Sequence, residues 1–358
     1  MKTRGIVNIF GVFVCLCIVH GCASVNNGAV EYGGTPVFDR YDTINTAILT
    51  SDLELNYPKQ MFVLDTIIGI VDANAAHGYY VHLFNERGEL LRRIAGEGRG
   101  PGELAGYRDC FIDKKNNTIS IFNNTKIVEY NLGLLFEGAT EYYRDREIPK
   151  IELAWLSNGF WLDEERFFGY GNGEDRRFVL HDGNTQAIYK DYPAVVDNAG
   201  HNKAVFGQYT VMGFDKNHSR FVQGTYIGGI LDIFRITADN EIVPHQTEYI
   251  YEPIYEPVEN APLHISWGSE TTIGFHALDC TDGYIYSLLN GVKGSAFKTI
   301  EAIHDPPYPY GVSIFDWDGK PVRSVVLDKK AIAIAVKDDH TAYLVVFDKG
   351  YSLVKISL

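Results

Sequence analysis

The residue types needed for metal or nucleophile chemistry are present, but their spacing gives them no local partners. Ten of the eleven histidines lie beyond position 21, and none forms His-Glu-x-x-His or stands close to a cysteine. Those are the spacings by which one short segment offers zinc two ligands, so the sequence gives a zinc site no support. A calcium loop of alternating oxygen ligands closed by glutamate is also missing. Asp316-Trp317-Asp318-Gly319 therefore reads as a hairpin turn, and Asp338-Asp339-His340 as a polar turn. No Gly-x-Ser-x-Gly elbow occurs, which argues against a serine hydrolase of the α/β type.

The most distinctive string is Ile94-Ala95-Gly96-Glu97-Gly98-Arg99-Gly100-Pro101-Gly102-Glu103-Leu104. Gly-rich loops cradle phosphates when they open a helix with fixed spacing, or end in Gly-Lys-Ser/Thr. Pro101 breaks the first pattern, no helix follows, and the second is absent, which argues against nucleotide binding. The glycines instead suit a tight connection that needs positive φ. Arg99 and Glu103 are its charged candidates for holding a partner, with an ion pair inside the protein as the simpler reading.

Two further segments, Tyr249 to Pro257 and Asp305-Pro306-Pro307-Tyr308-Pro309-Tyr310, are rich in proline and tyrosine. Proline keeps them out of strand interiors. Displayed on a rim they would suit a protein or glycan, because rigid rings lose little entropy on binding. Tyr308 and Tyr310 are the candidates on this reading; covering gaps between sheets is the alternative.

The elements that must position these residues are strands. The chain has 358 residues, 46% hydrophobic and 13% aromatic, with 35 Gly and a net charge of −14. That balance excludes disorder and a collagen-like fibre, and the acidity argues against nucleic acid. Lys2 and Arg4 precede an apolar run from Ile6 to Val19 that is too short to span a bilayer but fits a signal sequence. Beyond position 21 there are 30 basic and 46 acidic residues, which raises the net negative charge. Cys110 and Cys280 stand alone in the interior and read as buried free thiols rather than a disulfide framework.

Alternation of period two is common, as in Ile119-Ser120-Ile121, and no segment of the body shows helical periodicity. A strand–turn–strand plan recurs with anchors at Phe84, Tyr130, Leu180, Phe234 and Phe315, spaced by 46, 50, 54 and 81 residues. A last copy runs from Tyr351 to Leu358. Such periods belong to the four-stranded blades of a propeller, and six anchors predict six blades. The last blade would lack an outer strand, which the segment around Thr46-Ala47-Ile48-Leu49 would supply to close the ring.

Val19-His20-Gly21-Cys22 resembles a bacterial lipobox, with Cys22 as the lipidated residue. The glycine string, followed by Ile112-Asp113, Ile119-Ser120-Ile121, Ile127-Val128-Glu129-Tyr130 and Gly133, resembles an NHL-type propeller repeat. Together they make the chain similar to the six-bladed, TolB-like propeller lipoproteins of Bacteroidetes. The resemblance implies a signal peptide over 1–21, a lipidated tether over 22–36 and an all-β, six-bladed β-propeller over 37–358. It also implies a bacterial envelope location by a lipid anchor in the outer membrane, and the absence of an acidic cluster at Ala23 to Asn27 favours the periplasmic side. Asp42-Thr43-Ile44 and Asp65-Thr66-Ile67 resemble a short O-glycosylation motif of exported proteins in that group.

Two functions follow as expectations. One is a non-catalytic propeller that binds an envelope protein or a glycan, touches the membrane only through its lipid, and needs no cofactor. The other is a hydrolase or lyase with a divalent metal in the central channel, implied by six-bladed relatives whose ligands come singly from separate strands. His218, His264, His276 and His340 are the histidines that would supply it.

Overall fold

The six anchors fall on equivalent strands: each lies on the third strand of a blade. The computed structural model describes residues 31–123, 126–149, 156–171, 176–183, 185–193, 202–258, 265–298 and 307–358. Cys22, the signal segment and His264 lie outside the described residues.

Blade 1 runs through Pro58–Leu64, Ile67–Asp72, Tyr79–Asn85 and Leu90–Gly96. Blade 2 follows with Asp109–Asp113, Thr118–Phe122, Ile127–Asn131 and Tyr143–Arg146, and blade 3 with Leu156–Trp161, Phe167–Gly171, Phe178–His181 and Gln186–Tyr189. Blade 4 comprises Thr210–Phe214, Arg220–Thr225, Ile230–Ile236 and Ile242–Tyr249. Phe275–Cys280, Tyr284–Leu289, Gly311–Asp316 and Pro321–Leu327 form blade 5; Lys330–Asp338, Thr341–Phe347 and Tyr351–Ser357 begin blade 6. The wide spacing before Phe315 comes from long connections on either side of Phe275–Leu289.

Two N-terminal strands complete the ring. Strand β2 (Ala47–Leu53) pairs antiparallel with Tyr351–Ser357 as the fourth strand of blade 6, with Ala47 opposite Lys355 and Leu53 opposite Tyr351. Strand β1 (Arg40–Ile44) adds a fifth, parallel strand to blade 5, where Asp42 takes a hydrogen bond from Arg323. The sequence predicts one closing strand; the fold uses both. Gly33 and Gly34 donate to the carbonyls of Tyr249 and Ile250, so this part of the tether already rests on blade 4.

The core is a set of layers between blades rather than one central mass. In Lys330–Asp338, Ala331, Ile334 and Val336 face blade 5 while Ile332, Ala333 and Ala335 face blade 1, and all are buried. Such a strand is apolar on both faces, which explains why polar alternation is weak there. Between blades 3 and 4 the layer is phenylalanine-rich, with Phe221 and Phe234 stacked at 4.8 Å. Beside that layer Arg177 is fully buried, bonded to Asp232 at 2.6 Å and to Gln223.

Hairpin turns after the innermost strands share one device. Asp113, Asp163 and Asp215 each accept two backbone N–H groups of the turn that follows. Asp316 does the same from Asp318 and Lys320 with Gly319 at φ +81°, as the hairpin reading requires. Helices Leu132–Phe136 and Asn202–Gly207 are too short to show periodicity in sequence. The first is capped by Asn131, whose side chain accepts from Leu134 N at 3.0 Å.

Candidate functional site

The first strand of every blade lines the central channel, because the inner edge of each sheet meets the ring axis. A cavity of about 130 Å³ lies there, walled by residues of all six blades. Its floor is apolar, with Met61, Phe111, Phe160, Met212, Phe214 and Ile334. At one end Lys114 Nζ lies 2.8 Å from Asp279 Oδ1, and the Val336 amide donates to the same carboxylate.

The other end is polar and aromatic. In these blades the turn between strands two and three and the connection to the next blade emerge at the same end. Tyr57, Tyr107, Tyr226, Trp267 and Tyr308 come from such segments, and Tyr351 opens the strand that follows one. The His276 ring meets Tyr308 at 5.1 Å and Tyr226 at 5.9 Å between centroids, and Trp267 and Phe347 continue the aromatic series outward. Tyr57 is 49% exposed at this mouth. Burial lowers the His276 pKa to about 4, so the imidazole is neutral near pH 7 and both offers and accepts a hydrogen bond. Burial likewise pushes the Tyr226 and Tyr308 hydroxyls up to about 12.

Across the channel, Asn158 donates to the Tyr170 hydroxyl at 2.8 Å, which donates to Asp109 Oδ2 at 2.6 Å. Burial raises the Asp109 pKa despite Lys59 and Tyr170. Lys59 Nζ sits 5.4 Å from the centroid of Tyr107.

These groups do not fit a metal. Among the described residues no three His, Cys, Asp or Glu side chains converge. In the cavity wall Asp109 is engaged by Tyr170, and Asp279 by Lys114 and Val336, leaving His276 and the buried thiol of Cys110, too few for a metal. A second groove of about 830 Å³ lies along blades 2 and 3. Its arginines are paired, Arg144 and Arg146 with Glu129 and Glu164 and Arg166 with Asp163, and acidic residues outnumber basic ones along it.

The profile of the TolB-like six-bladed propellers matches residues 39–339, most of the chain. The chain belongs to that family. Among solved structures, this TolB-like propeller resembles a Bacteroides fragilis protein named as exported, at 13% identity and a TM-score of 0.50, covering 89% of this chain and 99% of that one. It also resembles a duf4221-family protein of Bacteroides vulgatus, at 12% identity and a TM-score of 0.51, covering 87% and 96%. At such identity the likeness shows the fold. No curated protein matches the sequence.

The glycine connection of this TolB-like chain works differently from the sequence reading. Within Gly96 to Gly102 only Gly102 has positive φ, at +69°. Gly98 and Gly100 make room for Glu103, whose carboxylate takes the Gly100 amide at 2.7 Å and would collide with a Cβ on Gly98. Glu103 is thus a latch inside the loop and does not pair with Arg99, which is exposed. Leu104 is fully buried, and Tyr130 donates to the Gly102 carbonyl at 2.8 Å.

Tyr308 enters the mouth, whereas Tyr310 turns outward, 53% exposed, with Lys330 Nζ 5.7 Å from its ring centroid. In the other tyrosine run, Tyr249 and Tyr255 pack against buried Phe206 and Ile227, covering blade 4. His218 is buried at the far end, 3.6 Å from Asp113, and His340 is exposed in its turn. Thr43 is exposed on β1, and Thr66 at a hairpin tip beside Asp65, which has φ +55°. Sequence reading missed Asp109, Tyr170, Tyr226 and Trp267. The first three share a position at or just outside the ends of the two innermost strands, whereas Trp267 lies in the long connection before blade 5.

Among the described residues no helix is long and apolar enough to cross a membrane.

Proposed function

We propose that the protein is a non-catalytic binding propeller, held at the bacterial envelope by a lipid on Cys22 and presenting its channel mouth to an envelope protein or a glycan. The observation that carries this reading is the His276–Tyr308–Tyr226 cluster over a cavity whose carboxylates are already engaged. Rigid rings beside a few neutral polar groups suit binding, and among the described residues no three metal-ligating side chains converge. The lipobox at Val19 to Cys22, the NHL-like string and the Bacteroides fragilis neighbour named as exported support export and anchoring. The side facing the periplasm is favoured, and nucleic acid is disfavoured by the acidic balance.

The test is capture from gently solubilised membranes. Tyr308→Ala is expected to lose the companion, and Tyr310→Ala, Arg99→Ala and Glu103→Ala report how far the contact spreads from the mouth. Capture that survives Tyr308→Ala would remove the channel mouth from the account. Cys22→Ala is expected to release the protein from the membrane fraction.

A further inference from the structure

We propose that the channel cavity takes the terminal ring of a neutral, hydroxyl-rich ligand, the end of a glycan, while the rest of the ligand crosses the tyrosines of the mouth. This rests on the binding reading above and names its ligand class.

Size comes first. The cavity measures about 130 Å³. A cavity of about 150 Å³ holds benzene, so this one receives one edge of a single six-membered ring, whose remaining substituents lie in the open mouth, and leaves no room for a second ring. Such a site reads an end of a chain, not its interior.

Charge comes next. Lys114 and Asp279 neutralise each other at 2.8 Å, and the wall contains no arginine. At the mouth Lys59 stands near Asp109, which receives the Tyr170 hydroxyl. An anionic ligand would meet one ammonium beside a carboxylate, and a cationic one would meet Lys59. A neutral ligand meets neither penalty.

Hydrogen bonding then separates a sugar from an aromatic side chain of a protein. Among the described residues, His276, Gln60 and Gln208 in the wall have no hydrogen-bond partner through their side chains, and the buried Tyr107 hydroxyl near Asp109 has none. A neutral imidazole and two amides supply donors and acceptors together. Ring hydroxyls do the same, so each group finds a match. A phenyl or phenol ring would bury most of these groups unpaired, at a cost of about tenfold in affinity each. The rings of Tyr226 and Tyr308 pack against His276 at the mouth, and aromatic rings suit the C–H side of a pyranose.

The test uses the whole mature chain and saturation-transfer NMR with calorimetry. The probes are methyl glycosides of common hexoses and N-acetylhexosamines, with N-acetyltyrosinamide and inorganic phosphate alongside. At least one glycoside is expected to bind once per chain, with the other two probes silent. His276→Phe should weaken that glycoside about tenfold or more, and His276→Gln, which keeps a donor and an acceptor, should stay within about threefold. Thermal unfolding of both variants separates lost binding from lost folding, and Tyr308→Ala provides an independent loss if either fails to fold. Glycoside binding indifferent to both His276→Phe and Tyr308→Ala overturns the proposal. So does binding of N-acetyltyrosinamide or phosphate in place of every glycoside. If all glycosides are silent yet membrane capture still depends on Tyr308, the ligand class is wrong and the binding module stands. If capture fails as well, both are wrong.

Discussion

The imidazole of His276 and the ring of Tyr308 stand edge to face with centroids 5.1 Å apart, tying the innermost strand of blade 5 to the loop that precedes its third strand. His276 is enclosed where its charged form is poorly solvated, and Tyr308 is one of the rings that enclose it. One contact therefore connects a loop residue chosen for its chemistry with a buried titratable group.

That enclosure predicts a pH dependence of stability. The unfolded chain binds a proton on this imidazole near pH 6.5, the folded chain only near about 4. Across that window the unfolded state holds more protons, so stability is full above about 6.5, falls as the pH drops and levels off below about 4. His82, also lowered to about 4 by burial, acts in the same sense. His276→Gln should remove up to about 3 kcal/mol of the loss between pH 7.5 and 4. Urea unfolding at both pH values checks it; an unchanged slope would show that His276 titrates normally.

Ring closure predicts an all-or-none response to truncation. Deleting residues 37–57 removes β1 and β2, exposing the edge of Tyr351–Ser357 and freeing Arg323 from Asp42. The truncated protein should lose its cooperative thermal transition and aggregate, as unpaired edges do. A soluble truncation with an intact melting curve would show that the two closing strands are dispensable.

The glycine connection predicts a coupled pair. A methyl on Gly98 would displace the Glu103 carboxylate from the Gly100 amide, so Gly98→Ala should cost about 1 kcal/mol. In a Glu103→Ala background the same change should be close to neutral, because nothing remains to be displaced. A double-mutant cycle in chemical denaturation reads the coupling. Additive costs would place the strain in the backbone instead.

The phenylalanine layer should dominate stability where the rim does not. Phe234→Ala, at a fully buried ring stacked on Phe221, should cost about 3–5 kcal/mol. Tyr310→Ala, largely exposed, should stay within about 0.5 kcal/mol. Comparable costs at the two sites would contradict the layered core.

The blade count was legible because every third strand carries an aromatic or aliphatic anchor, from Phe84 to Tyr351, flanked by a polar turn. Strand β1 was not, since Arg40 to Ile44 is half polar and becomes a strand only by pairing with Pro321–Leu327. At the site, Tyr308 was visible through its prolines. Asp109, Tyr226 and His276 come from blades 2, 4 and 5 and meet only once the ring closes. No spacing along the chain encodes that meeting. The glycines were read for positive φ, yet two of them serve Glu103, a close approach that sequence alone does not reveal.

The most direct test of the binding account is quantitative mass spectrometry of what the intact protein carries out of gently solubilised native membranes, beside its Tyr308→Ala variant. The account predicts a stoichiometric protein or glycan companion that the variant loses while folding normally. An empty pull-down, or a companion retained equally by the variant, would contradict it.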